Sequence, residues 1–153
     1  MPKAMMIRAA IRSDLGAILR LLREVGDPAG ARSAHVRMSS AAVRAWTRME
    51  SDPDRMVLVA EDRGQIVGTL DLMIVANLTH DAQPWAAVDN LVVDPQRRGQ
   101  GVGRALLEDA VDRATHSGCY KVEMLAHEGG AAPSGFCVRL GFGDSSDGYR
   151  RYL

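Results

Sequence analysis

The segment from Trp85 to Leu125 constrains the fold more than any other part of the chain. Trp85 to Val93 reads as a central strand, and Asp94-Pro95 turns the chain out of it. A glycine-rich stretch follows, and then the clearest helix in the sequence, Gly101 to Ser117. Arg104, Glu108, Asp112 and Thr115 form its polar face, while Leu106, Leu107, Ala110, Val111 and Ala114 supply the apolar one. Gly118 suits the position just past a helix end, and Tyr120 to Leu125 is a further strand. A strand, crossover helix and strand in this order is right-handed by rule, so the two strands should be parallel.

The remaining elements assemble around this unit. Ala4 to Ile11 suits a short first strand. Ser13 then stands as an N-cap for a helix whose apolar residues Leu15, Ile18, Leu22 and Val25 recur at spacings of three and four before Gly26. Asp27 to Arg32 is loop-like. A second helix runs from about Ser40 to Glu50, with Val43, Trp46 and Met49 inward, and Asp52-Pro53 ends it. Met56 to Ala60 and Ile66 to Ala76 flank Asp62-Arg63-Gly64 as a hairpin, and the polar loop Asn77 to Pro84 leads to the central strand. Pro133 to Leu140 is a short helix, and Tyr149 to Leu153 a closing strand. The order β-α-α-β-β-β-α-β-α-β implies an α/β fold of the α+β kind: a mixed, mostly antiparallel central sheet with helices on both faces. With 153 residues, no repeat and no linker, one domain over 1–153 is expected.

Charge and cysteine content narrow the function. Nineteen basic and nineteen acidic residues cancel, which argues against a nucleic-acid or membrane-surface binder. Cys119 and Cys137 show neither metal-ligand spacing nor a disulfide framework, so a reduced, cytoplasmic protein without metal is the expectation. The N-terminus meets Arg8 and Arg12 before any signal-like apolar run, and the longest such run, Leu72 to Ala76, is far short of the roughly 20 residues that span a bilayer. Nothing fixes the assembly; a homodimer is allowed.

Chemistry concentrates in Asp94-Pro95-Gln96-Arg97-Arg98-Gly99-Gln100-Gly101-Val102-Gly103-Arg104. Three glycines at alternate positions let a backbone turn tightly and approach a ligand without Cβ interference. Their amides sit at a helix N-terminus, where the dipole adds partial positive charge, a geometry that binds phosphate or pyrophosphate. Arg97, Arg98 and Arg104 add side-chain charge. The spacing is not the Gly-x-Gly-x-x-Gly of a dinucleotide site, and no Gly-Lys-Ser/Thr follows to make a P-loop.

Asn90 to Leu107 resembles the acetyl-CoA signature of the Gcn5-related N-acetyltransferases, whose core pattern Gln/Arg-x-x-Gly-x-Gly/Ala is met by Arg98 to Gly103. Phe136-Cys137-Val138-Arg139-Leu140-Gly141-Phe142 is similar to the family's second cofactor segment, usually Phe-Tyr-x-x-x-Gly-Phe. The resemblance implies an acetyl-CoA-dependent transferase that acylates a primary amine of a small molecule or peptide, without metal. It implies that Leu91, Val92 and Val93 pair through their main chain with the pantetheine arm. Pyrophosphate would lie on the amides of Arg98, Gly99, Gln100, Gly101, Val102 and Gly103, with Arg104 nearby and Phe136 alongside. An amide of Val92 or Val93 would polarise the thioester carbonyl.

Asp89 is the residue implied to take the amine's proton. Asn90 is expected to point to the opposite side of the strand from Asp89, and either is a candidate to face the substrate. Cys137 stands where the family usually places a tyrosine that protonates the leaving thiolate. It is read as a donor or as a small buried hydrophobe, with Tyr149, Tyr152 and Tyr120 the other candidate donors. His127, His35, Arg32 and Arg37 fall in loops that line a cleft in such folds. Gly118-Cys119-Tyr120-Lys121-Val122 resembles the strand opening of glucosamine-6-phosphate N-acetyltransferases, which makes an amino-sugar phosphate one candidate acceptor. The alternative is a catalytically degenerate sensor or subunit that binds acyl-CoA without turnover.

Overall fold

The computed structural model describes residues 5–23, 38–124, 134–143, 151 and 153. Five strands, β1 (Met6–Ala9), β2 (Arg55–Asp62), β3 (Gln65–Val75), β4 (Trp85–Val93) and β5 (Val122–Met124), form one sheet in sequence order. The first four are antiparallel, and β4 and β5 are parallel, as the crossover rule requires. Four helices are described: α1 (Leu15–Leu22), α2 (Ser40–Glu50), α3 (Val102–His116) and α4 (Ser134–Arg139).

Each face of the sheet buries its own apolar cluster. On one face α3 sets Val102, Leu106, Leu107, Ala110 and Ala114 against Leu58, Leu70, Leu72, Val88 and Val93. On the other, Leu15, Ile18 and Leu21 of α1 and Trp46 of α2 cover Val57, Val59, Ile66 and Val92. Strand residues alternate between the clusters, as a period of two demands. Burying one such aliphatic side chain contributes about 1.5–3 kcal/mol, so the helices are held by these stripes.

The turn between β2 and β3 places Arg63 at φ 52° and Gly64 at φ 81°, the paired left-handed conformation that suits a two-residue hairpin. Gly68 on β3 has a different task. A Cβ there would lie 2.9 Å from Val102 Cγ1, 3.0 Å from Leu106 Cδ1 and 3.3 Å from the Val92 carbonyl oxygen. Its absence lets the first turns of α3 sit close on the sheet.

The entry to α1 departs from expectation. Ser13 does not cap it; a 3-10 turn over Arg12–Asp14 precedes the helix. Asp14, 7% exposed, organises that turn by accepting from the Ile11 N–H at 2.8 Å and from both terminal nitrogens of Arg8 at 2.7 and 3.0 Å. Arg8 also donates to Glu61 of β2 at 2.9 Å. Asp14 is the N-cap residue of α1, yet its carboxylate serves Ile11 and Arg8 and makes no side-chain cap to the helix. α1 buries Leu21 besides Leu15 and Ile18, and Leu22, half-buried, packs against the same cluster, while Val25 and Gly26 lie outside the described residues. α2 keeps the expected bounds, with Ser39 capping it by accepting from Ala42 N at 3.1 Å. The expected closing strand lies outside the described residues except for Arg151 and Leu153, both exposed and in no regular element.

Candidate functional site

The glycine loop begins where β4 ends. Asp94 accepts from Gln96 N at 2.9 Å, and Pro95–Arg97 closes a 3-10 turn. Gly99 at φ 75° and Gly101 at φ 83° then adopt the left-handed conformation that disfavours any residue with a Cβ. Gly101 is the N-cap of α3 and supplies no side-chain cap. The first intrahelical bond runs from Ala105 N to Gly101 O at 3.0 Å, so the N–H groups of Val102, Gly103 and Arg104 have no acceptor within the helix. Three donors at the positive end of a 15-residue helix make a cradle for phosphate oxygens.

Gly103 corrects the expectation that all three glycines serve the turn. It lies inside α3, and a Cβ there would meet Val93 Cγ2 at 3.5 Å and Phe136 Cζ at 3.6 Å, ordinary contacts. The backbone conformation demands only the first two glycines. The same distances place Phe136 of α4 against the loop, so the two segments singled out in the sequence meet.

The three arginines divide. Arg97 pairs with Asp62 on β2 and donates to Gln100 Oε1 at 3.3 Å. Arg98 folds back so that Nε donates to the Val93 carbonyl at 3.2 Å. Arg104 pairs with Glu108 at 2.7 Å on the exposed surface, an arrangement worth little in water. A groove of about 250 Å³ continues from Arg104 between α3 and α4, lined by Leu107, Arg139, Leu140 and Phe142 among others. A depression of about 410 Å³ lies by the same loop on the α1 side, lined by Ser13, Arg20, Gln65 and Arg97 among others; it includes neither Asp89 nor the residues at the start of α3.

β4 itself is irregular at the position that matters. Asp71 pairs with Asp89, and Thr69 pairs with Val92: two steps on β3 oppose three on β4. The extra residue is a β-bulge, and Asn90 takes it at φ 51°. The bulge overturns the expectation that Asn90 faces away from Asp89, because alternation fails where a residue is inserted. Asn90 Nδ2 donates to Asp71 Oδ2 at 3.2 Å, and Asp89 Oδ1 accepts from Asn90 N at 2.8 Å. Arg55 Nη2 donates to the same Asp71 oxygen at 3.0 Å. A polar cluster of Arg55, Asp71, Asp89 and Asn90 therefore sits on the α1–α2 face. Burial pushes the Asp71 carboxyl up, against the opposing pull of Asn90 and Arg55. Sequence reasoning missed Asp71 and Arg55; the available signal was one acid within the apolar run Leu70-Asp71-Leu72.

Among the described residues, β5 accompanies β4 only as far as Val88. It pairs Val122 to Met124 with Ala86 to Val88, so among those residues the outer edge of Asp89 to Val93 has no strand partner. Val92 and Val93 are buried and Leu91 half-buried, which leaves the main chain as what that edge presents.

The candidate proton donors separate as well. Cys137 is half-buried on α4, one residue after Phe136, and burial pushes its thiol up. Tyr120 is excluded by position: its N–H bonds the Pro84 carbonyl at 3.0 Å and its ring stacks on His80 at 3.9 Å, at the end of β4 opposite the loop. Tyr149, Tyr152, His127, His35, Arg32 and Arg37 lie outside the described residues. No helix among the described residues is long and apolar enough to cross a membrane.

Comparison with known proteins agrees with this geometry. The chain is similar to a glucosamine 6-phosphate N-acetyltransferase of Trypanosoma brucei brucei, 35% identical over 86 residues, or 56% of either chain. It spans about half the length of the curated relatives it matches. Among solved structures, a Trypanosoma brucei acetyltransferase superposes with TM-score 0.80 at 27% identity, over 98% of this chain and 100% of that one. A protein of Bacillus halodurans C-125 described as a transcriptional regulator superposes with TM-score 0.88 at 25% identity, over 98% of this chain and 100% of that one. The model of the acetyltransferase (GNAT) family matches residues 19–142, and the chain belongs to that family.

Proposed function

We propose that this chain transfers the acetyl group of acetyl-CoA to a primary amine of a small molecule or peptide, with an amino-sugar phosphate the leading acceptor. The observation that carries the reading is one juxtaposition: a helix N-terminus with no side-chain cap follows closely on a bulged strand that has a carboxylate at the bulge and, among the described residues, no outer strand beyond it. The free amides of Val102, Gly103 and Arg104 fit pyrophosphate. The main chain of Leu91 to Val93 fits an extended amide-bearing arm.

Acetyl-CoA supplies the activated acyl group as co-substrate, and the chain supplies orientation and proton traffic. Most aliphatic amines are protonated at neutral pH, so Asp89 takes a proton from the ammonium, directly or through water. The freed nitrogen lone pair forms the C–N bond. Asp94 N donates to Val67 O on β3, so by alternation the Val93 amide faces away from β3. It holds the carbonyl oxygen as charge builds on it, a contribution of about 3–4 kcal/mol per donor. The C–S bond breaks, the nitrogen sheds its second proton to water to become the amide, and Cys137 or Tyr149 gives a proton to the sulfur and is reprotonated from solvent. We read the domain as covering residues 1–153 and acting in the cytoplasm, with no nucleic-acid partner.

Acceptor choice rests on the relatives named for glucosamine 6-phosphate and on the Gly118 to Val122 segment. A second reading, acyl-CoA binding without turnover, is favoured by Cys137 in the usual tyrosine position and by the Bacillus neighbour's description as a regulator. Thiol release from acetyl-CoA, measured with glucosamine 6-phosphate and a panel of amines, decides between them. Acceptor-dependent release is expected. Tight CoA binding with no release for any amine would transfer the case to the sensor reading.

A further inference from the structure

Asn90 holds a backbone conformation that residues with a Cβ rarely adopt, and two carboxylates grip it. Asp89 takes its backbone N–H at 2.8 Å and Asp71 its side-chain amide at 3.2 Å. Asp71 comes from the neighbouring strand, directly opposite Asp89 in register, and is 6% exposed. Its strand neighbours Leu70 and Leu72 are buried on the other face. On its own face Val57 of β2 is its register partner, so a valine at position 71 would pack there without desolvating a charge. What the carboxylate supplies, and valine cannot, is an acceptor aimed at Asn90. Arg55, held at 3.0 Å from the same oxygen, favours the charged carboxylate against the upward push of burial.

We propose that Asp71 is a positioning residue: through Asn90 Nδ2 it locks the β4 bulge, and the bulge in turn fixes Asp89 and the main chain of Leu91 to Val93 in their reacting geometry. The inference rests on the acetyl-transfer reading and adds to it a residue on β3 that touches neither co-substrate nor acceptor. Asp71 binds no substrate in this account, and its influence passes wholly through Asn90. Losing the anchor leaves the bulge free to slip, which moves the base and the carbonyl-binding amide together. Positioning errors of that kind lower turnover far more than they lower cofactor affinity.

Four proteins test this: wild type, Asp71→Ala, Asp71→Asn and the double variant Asp71→Ala/Asn90→Gly. Each is checked for folding by circular dichroism, then assayed for thiol release with glucosamine 6-phosphate or the best amine of the panel. Hydrogen exchange of the peptide covering residues 88–93 is followed in parallel. Asp71→Ala should lower kcat by about 30-fold or more with the KM for acetyl-CoA changed by less than about threefold. Asp71→Asn keeps an acceptor for Asn90 and should recover at least about tenfold of that loss. Glycine at 90 accepts the left-handed conformation unaided, so the double variant should exceed Asp71→Ala by about tenfold. Exchange at 88–93 should accelerate in Asp71→Ala and return toward wild type in Asp71→Asn. A folded Asp71→Ala with kcat within threefold of wild type would overturn the proposal, as would an Asp71→Asn no better than alanine. If wild type itself turns over no amine, the acetyl-transfer reading fails by itself, and the exchange arm still decides: equal exchange in wild type and Asp71→Ala sinks the anchor.

Discussion

Gly68→Ala adds one methyl group at the place where α3 presses closest on the sheet. The new Cβ would stand 2.9 Å from Val102 Cγ1 and 3.0 Å from Leu106 Cδ1. Those two residues are 4% and 0% exposed, so neither methyl group has room to retreat. Overpacking of this kind costs about 1–3 kcal/mol. Alanine is otherwise the better strand residue by about 0.5–1 kcal/mol, because glycine loses more freedom on folding. The net loss should be about 1.5 kcal/mol, which for a chain of this length lowers Tm by about 3–6 °C. Val102 opens α3, so lifting it also tilts the three free N–H groups, and CoA affinity should fall by about three- to tenfold, within about 1.4 kcal/mol. Thermal denaturation and calorimetry with CoA read the two effects. Removing the obstructing methyl groups in Gly68→Ala/Val102→Ala should recover part of the Tm loss beyond additivity, since the two sites touch. A Gly68→Ala protein as stable as wild type, or a strictly additive double variant, would refute the close approach.

Other outcomes follow from the same geometry. Asp89→Asn keeps the shape and removes the base, so turnover at pH 7 should fall by about 10²–10⁴-fold and recover partly at high pH; a flat loss across pH, or none, assigns the proton elsewhere. Cys137→Ala should leave kcat within a few-fold and cost some stability, whereas a loss of about 10²-fold in both Cys137→Ala and Cys137→Ser would make the thiol the working acid; in the first case Tyr149→Phe should show the large loss. Asp14 is held below the ordinary carboxylate range, first by the Arg8 hydrogen bonds, against burial. Its ionised form is therefore favoured in the folded state, so its stabilisation is complete at neutral pH and is lost as pH falls below about 4. Urea denaturation of wild type and Asp14→Asn should show a stability gap that is constant from pH 7 to 5 and narrows below that, and a gap that widens in acid would reverse the sign.

Local signals carried much of this architecture. The shift from strand to glycine loop to amphipathic helix between Trp85 and Ser117 is encoded within a few residues of each boundary, and Ser39 and the Arg63-Gly64 turn lie where their chemistry requires. What escaped depends on residues distant in sequence. The bulge at Asn90 is secured by Asp71 on another strand, and strict alternation misplaces every side chain at an inserted residue. Ser13 and Asp14 both look like helix caps, but neither caps α1 with its side chain, because the Asp14 carboxylate is taken by Arg8 on β1 and by Ile11 N–H. Gly68 looks like an ordinary strand glycine until α3 is laid over it. Arg97 looks like a phosphate ligand until Asp62 on β2 claims it. The left-handed run His80, Asp81 and Ala82, braced by Asn77 bonds to Thr79 and Gln83, had no local glycine to announce it.

The central claim is that the N-terminus of α3 holds the pyrophosphate of CoA, and calorimetric titration of CoA into wild type and Gly103→Val tests it most directly. Gly103 is the suitable position because a Cβ there meets only ordinary contacts, whereas substitution at Gly99 or Gly101 would strain the backbone at positive φ. The γ-methyl groups of the valine reach past those contacts toward Val93 and Phe136, so the variant should stay folded at assay temperature with a lowered Tm, and should bind CoA at least about tenfold more weakly, about 1.4 kcal/mol. Asp89→Asn, four residues before the end of β4, should bind CoA as wild type does. A folded Gly103→Val with undiminished affinity, or a wild type that binds no CoA, would contradict the account.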